Sequence, residues 1–426
     1  MITDSTIAET ARSRLLCIVG ARPNFMKIAP LMRAFTARRD LAVSLVHTGQ
    51  HYDAAMKAAF FGELGIPEPD EDLGVGSGSH AVQTAEVMRR FEPILERYAP
   101  DAVLVVGDVN STLACALVAA KRLVPVVHVE AGLRSFDRRM PEEINRVLTD
   151  QLAALLYITE RPALDNLLRE GIPSERVVFV GNVMIDTLQQ HRSRAPAVAE
   201  IVARLRSPDT VGATQKVVAA YGSADEAPFG LVTLHRPSNV DDAAILRGLI
   251  GTLAEVGERL PLIFPLHPRT RDRLNQAGLL DEAQQRFLLL PPVGYLDMLG
   301  LMSAACVVLT DSGGVQEETT ALGVPCITLR ETTERPVTVV AGTNTVVGTA
   351  REKILGCVAD VLASGGKRGR IPEGWDGHAA ERIAEHLAGW LLAQRTGADA
   401  VQAGADPAGT GHPGVPGARA DGGLAT

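Results

Sequence analysis

The chain has 426 residues, a formal net charge of −8, 46% hydrophobic and 22% charged residues. That length allows two domains, and the composition is that of a globular protein. The acidic balance, the absence of any basic run and an aromatic content of only 4% argue against a nucleic-acid binder. No apolar stretch reaches transmembrane length, and Met1–Ser13 lacks the apolar core of a signal peptide, so no membrane association is expected. The five cysteines (Cys17, Cys115, Cys306, Cys326, Cys357) form no CxxC pair and lie in apolar runs. They read as small core side chains in a reducing compartment, and the expected location is the cytoplasm.

Apolar runs alternate with helical patterns along the chain. Leu15–Val19 ends in Gly20 and precedes a helix-like Phe25–Phe35; Val43–His47 precedes a helix from about Ala54 to Leu64. Ala102–Val106 is followed by a helix from about Ser111 to Leu123, Val126–Val129 by Glu130 and a helix-like Glu142–Ala154, then come Leu155–Thr159 and Val177–Val180. The runs are continuously apolar, as in parallel strands covered on both faces, and their alternation with helices predicts a doubly wound α/β sheet. The rhythm breaks over a polar stretch from about Arg206 to Pro228, then restarts with Leu231–Leu234, Leu262–Leu266, Phe287–Leu290, Val307–Thr310, Cys326–Leu329 and Thr345–Val347. The expected organisation is a flexible N-terminus at 1–14, a first Rossmann-like domain at 15–190, a second at 191–375, a returning helix at 376–395 and a disordered tail at 396–426.

In such folds ligands collect beyond the carboxyl ends of the strands, and the conspicuous polar residues fall there: Arg22, Gln50, Asp108, Glu130, His235, His267 and Ser312. Two domains whose strand ends face each other make a cleft. In Gly20-Ala21-Arg22-Pro23-Asn24-Phe25-Met26-Lys27, Gly20 allows a tight turn and Pro23 starts a helix, which places Arg22 and Lys27 over an anion-favouring helix terminus. Asp311-Ser312-Gly313-Gly314 opens another helix, where backbone N–H groups and a hydroxyl form a phosphate cradle, and Glu318 and Arg335 offer ribose and phosphate contacts. Asp108 and Glu130 close neighbouring strands and can converge as proton-transfer groups; Glu142 reads either as a third or as a carboxylate on its helix dipole. Asn110-Ser111-Thr112 reads as a helix cap after Asp108. No HxH, HExxH or DxD cluster has metal-ligand spacing, so neither a metal nor any other cofactor is expected.

Taken together, His128–Arg134 with Pro141–Arg146, Asp311–Glu318 and Thr332-Thr333-Glu334-Arg335-Pro336 resemble the non-hydrolysing UDP-N-acetylglucosamine 2-epimerases, from about Leu15 to Leu392. The resemblance implies two Rossmann-like domains of the GT-B type, a cytoplasmic homodimer, and interconversion of UDP-GlcNAc and UDP-ManNAc for polysaccharide synthesis. It also implies elimination of UDP to 2-acetamidoglucal and re-addition, with Asp108, Glu130, Glu142 and His235 in catalysis. Arg22, Lys27, Ser312, Gly313, Gly314, Glu318 and Arg335 would hold UDP. Which carboxylate serves which face stays open, as do a GT-B glycosyltransferase or a hydrolysing epimerase using another UDP-sugar. Asn24, Met298, Val337 and Pro237-Ser238 depart from the family pattern. Gln50-His51-Tyr52-Asp53 lacks the Arg and second Gln of a regulatory UDP-GlcNAc segment, which implies weakened or absent activation.

Overall fold

The computed structural model describes residues 12–50, 60–205 and 228–403. In the first half, β1 (Ser13–Val19), α1 (Arg22–Thr36), β2 (Leu41–His47) and β3 (Glu71–Asp72) are followed by α2 (His80–Tyr98), β4 (Ala102–Val106) and α3 (Asn110–Lys121). Then come β5 (Val126–Ala131), α4 (Pro141–Leu152), β6 (Leu155–Ile158), α5 (Pro162–Arg169), β7 (Val177–Phe179), α6 (Val183–His191) and α7 (Val198–Leu205). The second half holds β8 (Gly230–Thr233), α8 (Pro237–Val240), α9 (Ala243–Gly257), β9 (Leu262–Pro265), α10 (Pro268–Gln276), α11 (Leu280–Arg286) and β10 (Leu288–Leu290). It continues through α12 (Tyr295–Ala304), β11 (Val307–Thr310), α13 (Gly313–Leu322), β12 (Cys326–Thr328), α14 (Pro336–Val340), β13 (Asn344–Val346), α15 (Arg351–Ser364) and α16 (Ala379–Ala403).

Two sheets result, in the orders β3-β2-β1-β4-β5-β6-β7 and β10-β9-β8-β11-β12-β13, and every recorded strand pair is parallel. Strand order reverses between β1 and β4 and again between β8 and β11, the switch points where such sheets open a crevice. The fold is therefore two doubly wound α/β units, as the alternating apolar runs predict. Gly20 has a definite use at the first crevice: a side chain there would overlap Ser111 and Thr48, so glycine lets α3 approach the end of β1.

The two halves share one apolar cluster, and each also keeps a core of its own. One buried cluster joins Leu15, Phe25 and Phe35 of the first half to Leu231, Leu288 and Val308 of the second. Helix α6 touches both α1 and α13, and α7 packs on α12. The chain then returns. Ile383, Leu387 and Leu391 of α16 are buried, and α16 packs against α1 and β1. Full burial of such side chains contributes about 1.5–3 kcal/mol each. Polar contacts fix the register: Asp186 accepts hydrogen bonds from Ala379 N and Ala380 N at 3.1 and 2.6 Å, and Trp375 Nε1 donates to Thr159 O at 3.1 Å.

Some elements differ from the sequence pattern. Helix α2 goes unread because its long polar faces and internal Pro93 blur the period; Ser79 caps it, accepting from Val82 N. The helix expected over Ala54–Leu64 is helical at 60–64, and the rest lies outside the described residues. The expected boundary of an unstructured tail at 396 is wrong, because α16 runs on to Ala403; residues 404–426 lie outside the described residues.

Candidate active site

Strand β4 delivers Asp108 to the crevice. Its carboxylate receives Arg146 Nη2 at 2.6 Å, and its backbone carbonyl receives Asn145 Nδ2 at 2.9 Å. Arg146 is held by Glu143 at 2.6 Å, and Glu143 also accepts from the backbone N–H of Ser135 and Phe136 at 2.9 Å each. Burial alone would raise the Asp108 pKa, but Arg146, Lys27 and Arg335 outweigh it and hold the group below its ordinary value.

Glu130, on β5, sits in a left-handed backbone conformation with φ of +74°, where the pairing of β5 with β6 shifts register between Val129 and Ala131. A non-glycine residue there costs on the order of 1–3 kcal/mol and persists only where its surroundings over-determine it. Here two cations do so. Lys27 Nζ lies 2.5 Å from Glu130 Oε2 and Arg335 Nη2 lies 2.6 Å from Oε1. Arg335 is braced by Glu317 at 2.8 Å, and Glu317 accepts from Asn182 Nδ2 at 3.0 Å. Lys27 is aimed by α1, whose first turn is tied down by Asn24: Nδ2 donates to Val106 O at 2.7 Å and Oδ1 accepts from Ala21 N at 3.2 Å. Burial lifts Glu317 to about 7, against the pull of Arg335 and with a contribution from Glu130.

Across the cleft, Asp311 is wholly buried and spends its carboxylate on local backbone, accepting from His235 N at 3.0 Å, Arg236 N at 2.9 Å and Asn239 Nδ2 at 3.2 Å. His235 Nδ1 lies 3.1 Å from the same group. The His267 ring sits 5.6 Å from that of His235, and burial, then the neighbouring His235, pushes His267 down to about 4. Helix α13 starts at Gly313, with Ser312 as its cap residue and no side-chain cap bond from the Ser312 hydroxyl. A side chain at Gly313 would collide with Glu334, and one at Gly314 would press on Met184, so the glycines keep this helix terminus bare. Further along, Glu318 is lifted to about 7 by burial, opposed by its hydrogen bond with Tyr295. Arg22 lies over the Phe60 ring at 4.7 Å, within the field of Glu318 and Glu63.

A further charged contact crosses between the two halves. Arg236 reaches Glu142 at 3.3 Å and Glu334 at 3.8 Å, and Arg330 pairs with Glu334 at 2.8 Å. Burial opposes ionisation of Glu334, but Arg335, Arg330 and Arg146 hold it far below the usual carboxylate range. Among the described residues no group of three or more His, Cys, Asp or Glu could hold a metal ion.

A family model described as UDP-N-acetylglucosamine 2-epimerase matches residues 33–388. The chain belongs to the UDP-N-acetylglucosamine 2-epimerase family. Among curated proteins it is 41% identical to the UDP-N-acetylglucosamine 2-epimerase of Methanocaldococcus jannaschii, covering 88% of this chain and 98% of that protein. It is also 41% identical to the UDP-2,3-diacetamido-2,3-dideoxy-D-glucuronate 2-epimerase of Pseudomonas aeruginosa, covering 88% and 99%. The crystal structure of the M. jannaschii UDP-GlcNAc 2-epimerase in complex with UDP-GlcNAc and UDP matches with a TM-score of 0.77 at 40% identity, over 88% of this chain and 99% of that one.

In this epimerase-family chain the sequence-selected residues, apart from Ser312, Gly313 and Gly314 at the α13 terminus, separate into three groups. Asp108, Glu130, Lys27 and Arg335 form one charged cluster, with the fields of both cations reaching Asp108. Glu142 and His235 flank Arg236. Arg22 and Glu318 lie apart from these, beside Tyr295 and Phe60. Lys27 and Arg335, read from sequence as UDP ligands, are both engaged by Glu130, as a strand-end carboxylate buried at 4% exposure requires. Asn110-Ser111-Thr112 is not a cap either. Val109 holds the cap position without a side-chain bond, Ser111 Oγ meets Gln50 at 2.8 Å and Thr112 Oγ1 donates to Val106 O at 2.9 Å. Sequence reasoning gave no role to Arg146, Arg236, Glu317, Arg330 or Glu334, though each lay inside or beside a quoted motif. Only the three-residue spacing of Glu143 and Arg146 on one helix face offered a local signal.

Proposed function

We propose that the chain reversibly converts UDP-N-acetylglucosamine to UDP-N-acetylmannosamine by eliminating UDP across C1–C2 and adding it back with the C2 proton on the other face. The observation that carries this reading is the pair of strand-end acids, Asp108 and Glu130, held by Lys27, Arg146 and Arg335 and set across a cleft from the bare α13 terminus. C2 is not acidic, because the adjacent anomeric carbon is no carbonyl, so direct deprotonation is unavailable. Elimination makes the C1–O bond break as the C2–H bond breaks, leaving 2-acetamidoglucal. One carboxylate takes the proton on one face and another acid returns it on the opposite face. Asp108, Glu130 and Glu142 supply these groups, each worth roughly 10²–10⁴-fold.

The departing diphosphate needs preorganised positive charge. Ser312, Gly313 and Gly314 offer their backbone N–H groups and a hydroxyl, and His235, oriented by Asp311, offers a ring N–H. Arg22 and Glu318 suit the uridine end; Lys27 and Arg335 hold Glu130 in register while adding to the field on the diphosphate. The P. aeruginosa relative supports a second reading, in which the sugar is a 2,3-diacetamido glucuronate. Chromatography of products from both sugars tests the assignment: UDP-ManNAc from UDP-GlcNAc is expected. Turnover of the glucuronate alone would replace the substrate, and stoichiometric ManNAc with free UDP would mean a hydrolysing enzyme.

The working form is a homodimer in the cytoplasm that supplies an activated sugar for polysaccharide synthesis. Ile144 and Leu148, each 46% exposed one turn apart on α4, support an apolar self-association face. No described helix is long and apolar enough to cross a membrane. Equilibrium sedimentation should give twice the 45.2 kDa chain mass; a monomer at assay concentration would contradict it. Activation by a second UDP-GlcNAc is weak or absent, since the Gln50 segment lacks the usual Arg. Gln50 itself is buried against Ser111, and His51–Asp53 lie outside the described residues. Rates with UDP-ManNAc alone should be hyperbolic; an absolute requirement for added UDP-GlcNAc would contradict this.

A further inference from the structure

An elimination and re-addition cycle leaves a residual imbalance. In one turnover the C2–H bond breaks and its proton goes to the base on one face, while the C1–O electron pair leaves with UDP. In re-addition the C1–O bond forms again and C2 takes a proton from the acid on the other face. Sugar and UDP are balanced, but the base now carries a proton the acid has lost. Another turnover in the same direction requires that proton to be returned, and while the nucleotide sugar occupies the cleft this needs a group in contact with water elsewhere.

A partly open cavity of about 480 Å³ is lined among others by Glu160, Arg161, Phe179, Val337, Arg370 and Glu373. Glu160 follows β6, next to the strand that carries Glu130. It is 4% exposed, and its Oε2 is buried without a hydrogen-bond partner. Val337, also in the lining, stands two residues beyond Arg335, which binds Glu130. The charged groups facing Glu160 are therefore Arg335, Glu317 and Glu130 on the inner side, and Arg161, Arg370 and Glu373 on the cavity side. Arg161 is already committed to Glu373 at 2.5 Å and to the Phe179 ring at 4.6 Å. The activity described above uses none of these cavity residues.

We propose that Glu160 is a proton-relay residue, exchanging a proton between the Glu130 cluster and water in this cavity so that the two catalytic faces are reset while the nucleotide sugar occupies the cleft. The inference rests on the epimerase reading. Burial pushes Glu160 up to about 8, and Glu317 and Glu130 add to the rise against Arg335, so the group carries a proton at neutral pH. The neutral acid gives that proton to a deprotonated carboxylate of the cluster and takes another from cavity water; the same steps reversed discharge a protonated base. No redox change or further reagent is involved.

The test compares wild type with Glu160→Gln, an isosteric mimic of the protonated acid, and with Glu160→Asp, in rapid-quench time courses. The wild-type run comes first, and absence of epimerisation there would strike the functional reading, not this one. For Glu160→Gln we expect a burst of one product per site followed by a steady rate about tenfold slower. We also expect loss of the fall in kcat that wild type should show as pH rises through about 8. Glu160→Asp should restore much of the steady rate and the alkaline limb. A linear course at the wild-type rate with an unchanged pH profile overturns the proposal. So does an equal slowing of first and later turnovers, which would assign Glu160 a purely structural part.

Discussion

Asp108 and Asp311 occupy equivalent places in the two sheets. Each follows the strand just past the switch point, β4 in one sheet and β11 in the other. Their surroundings nevertheless give them opposite tasks. Asp311 is inaccessible and its carboxylate is consumed by two backbone N–H groups and Asn239, so it holds the His235–Arg236 turn in place. Asp108 keeps 21% of its side chain exposed to the cleft and is held by a cation, Arg146. In the proposed reaction the strand-end carboxylate that cations hold at an open crevice is the reagent, and the one that N–H groups surround is a strut. Both are held below the ordinary carboxylate value against the effect of burial, so titration alone would not tell them apart.

Substitution should separate them. Asp108→Asn should lower kcat by about 10²–10⁴-fold while leaving the urea midpoint close to wild type, since Arg146 keeps Glu143. Glu130→Gln should lower kcat by as much and also lower the midpoint, because Lys27 and Arg335 lose their buried partner. Loss of folded Asp108→Asn protein in parallel with activity would show that Asp108 is a strut as well. Asp311→Ala should do the reverse first, removing about 3 kcal/mol of stability because buried N–H donors lose their acceptor. That contribution belongs to a depressed carboxylate. It is present above the ordinary value of 3.8 and is lost as pH falls through the lower folded value, so the variant should flatten the acid limb of stability. Glu318 gives an effect of opposite sign and similar size, of about 3 kcal/mol. Its folded pKa is raised by burial from 4.5 to about 7, so its stabilising contribution is complete below 4.5 and gone once pH passes about 7. Glu318→Gln should remove that decline from urea midpoints measured between those limits; an undiminished decline would place it elsewhere.

Much of this architecture was legible because buried parallel strands are written as local, uninterrupted apolar runs: Ala102–Val106 and Val307–Thr310 appear with the same limits in sequence and structure. Position at a strand end likewise picked out Asp108, Glu130, His235 and Ser312. What stayed hidden is non-local. Arg335 meets Glu130 across 205 residues, and no spacing rule connects them. The left-handed turn at Glu130 was equally invisible, because glutamate does not advertise a positive φ as glycine does. Helix α2 was lost for a local reason, a polar surface around Pro93 that masks its buried Val87, Phe91 and Leu95.

The central claim is that the acids of the first sheet move a proton at C2 while the second sheet holds the diphosphate. Proton NMR of the enzyme with UDP-GlcNAc in D₂O tests it most directly. The account predicts UDP-ManNAc carrying deuterium at C2, with the exchange abolished in Glu130→Gln. Epimer formed with its original C2 proton fully retained, or a sugar released or transferred with no C2 exchange, would contradict it.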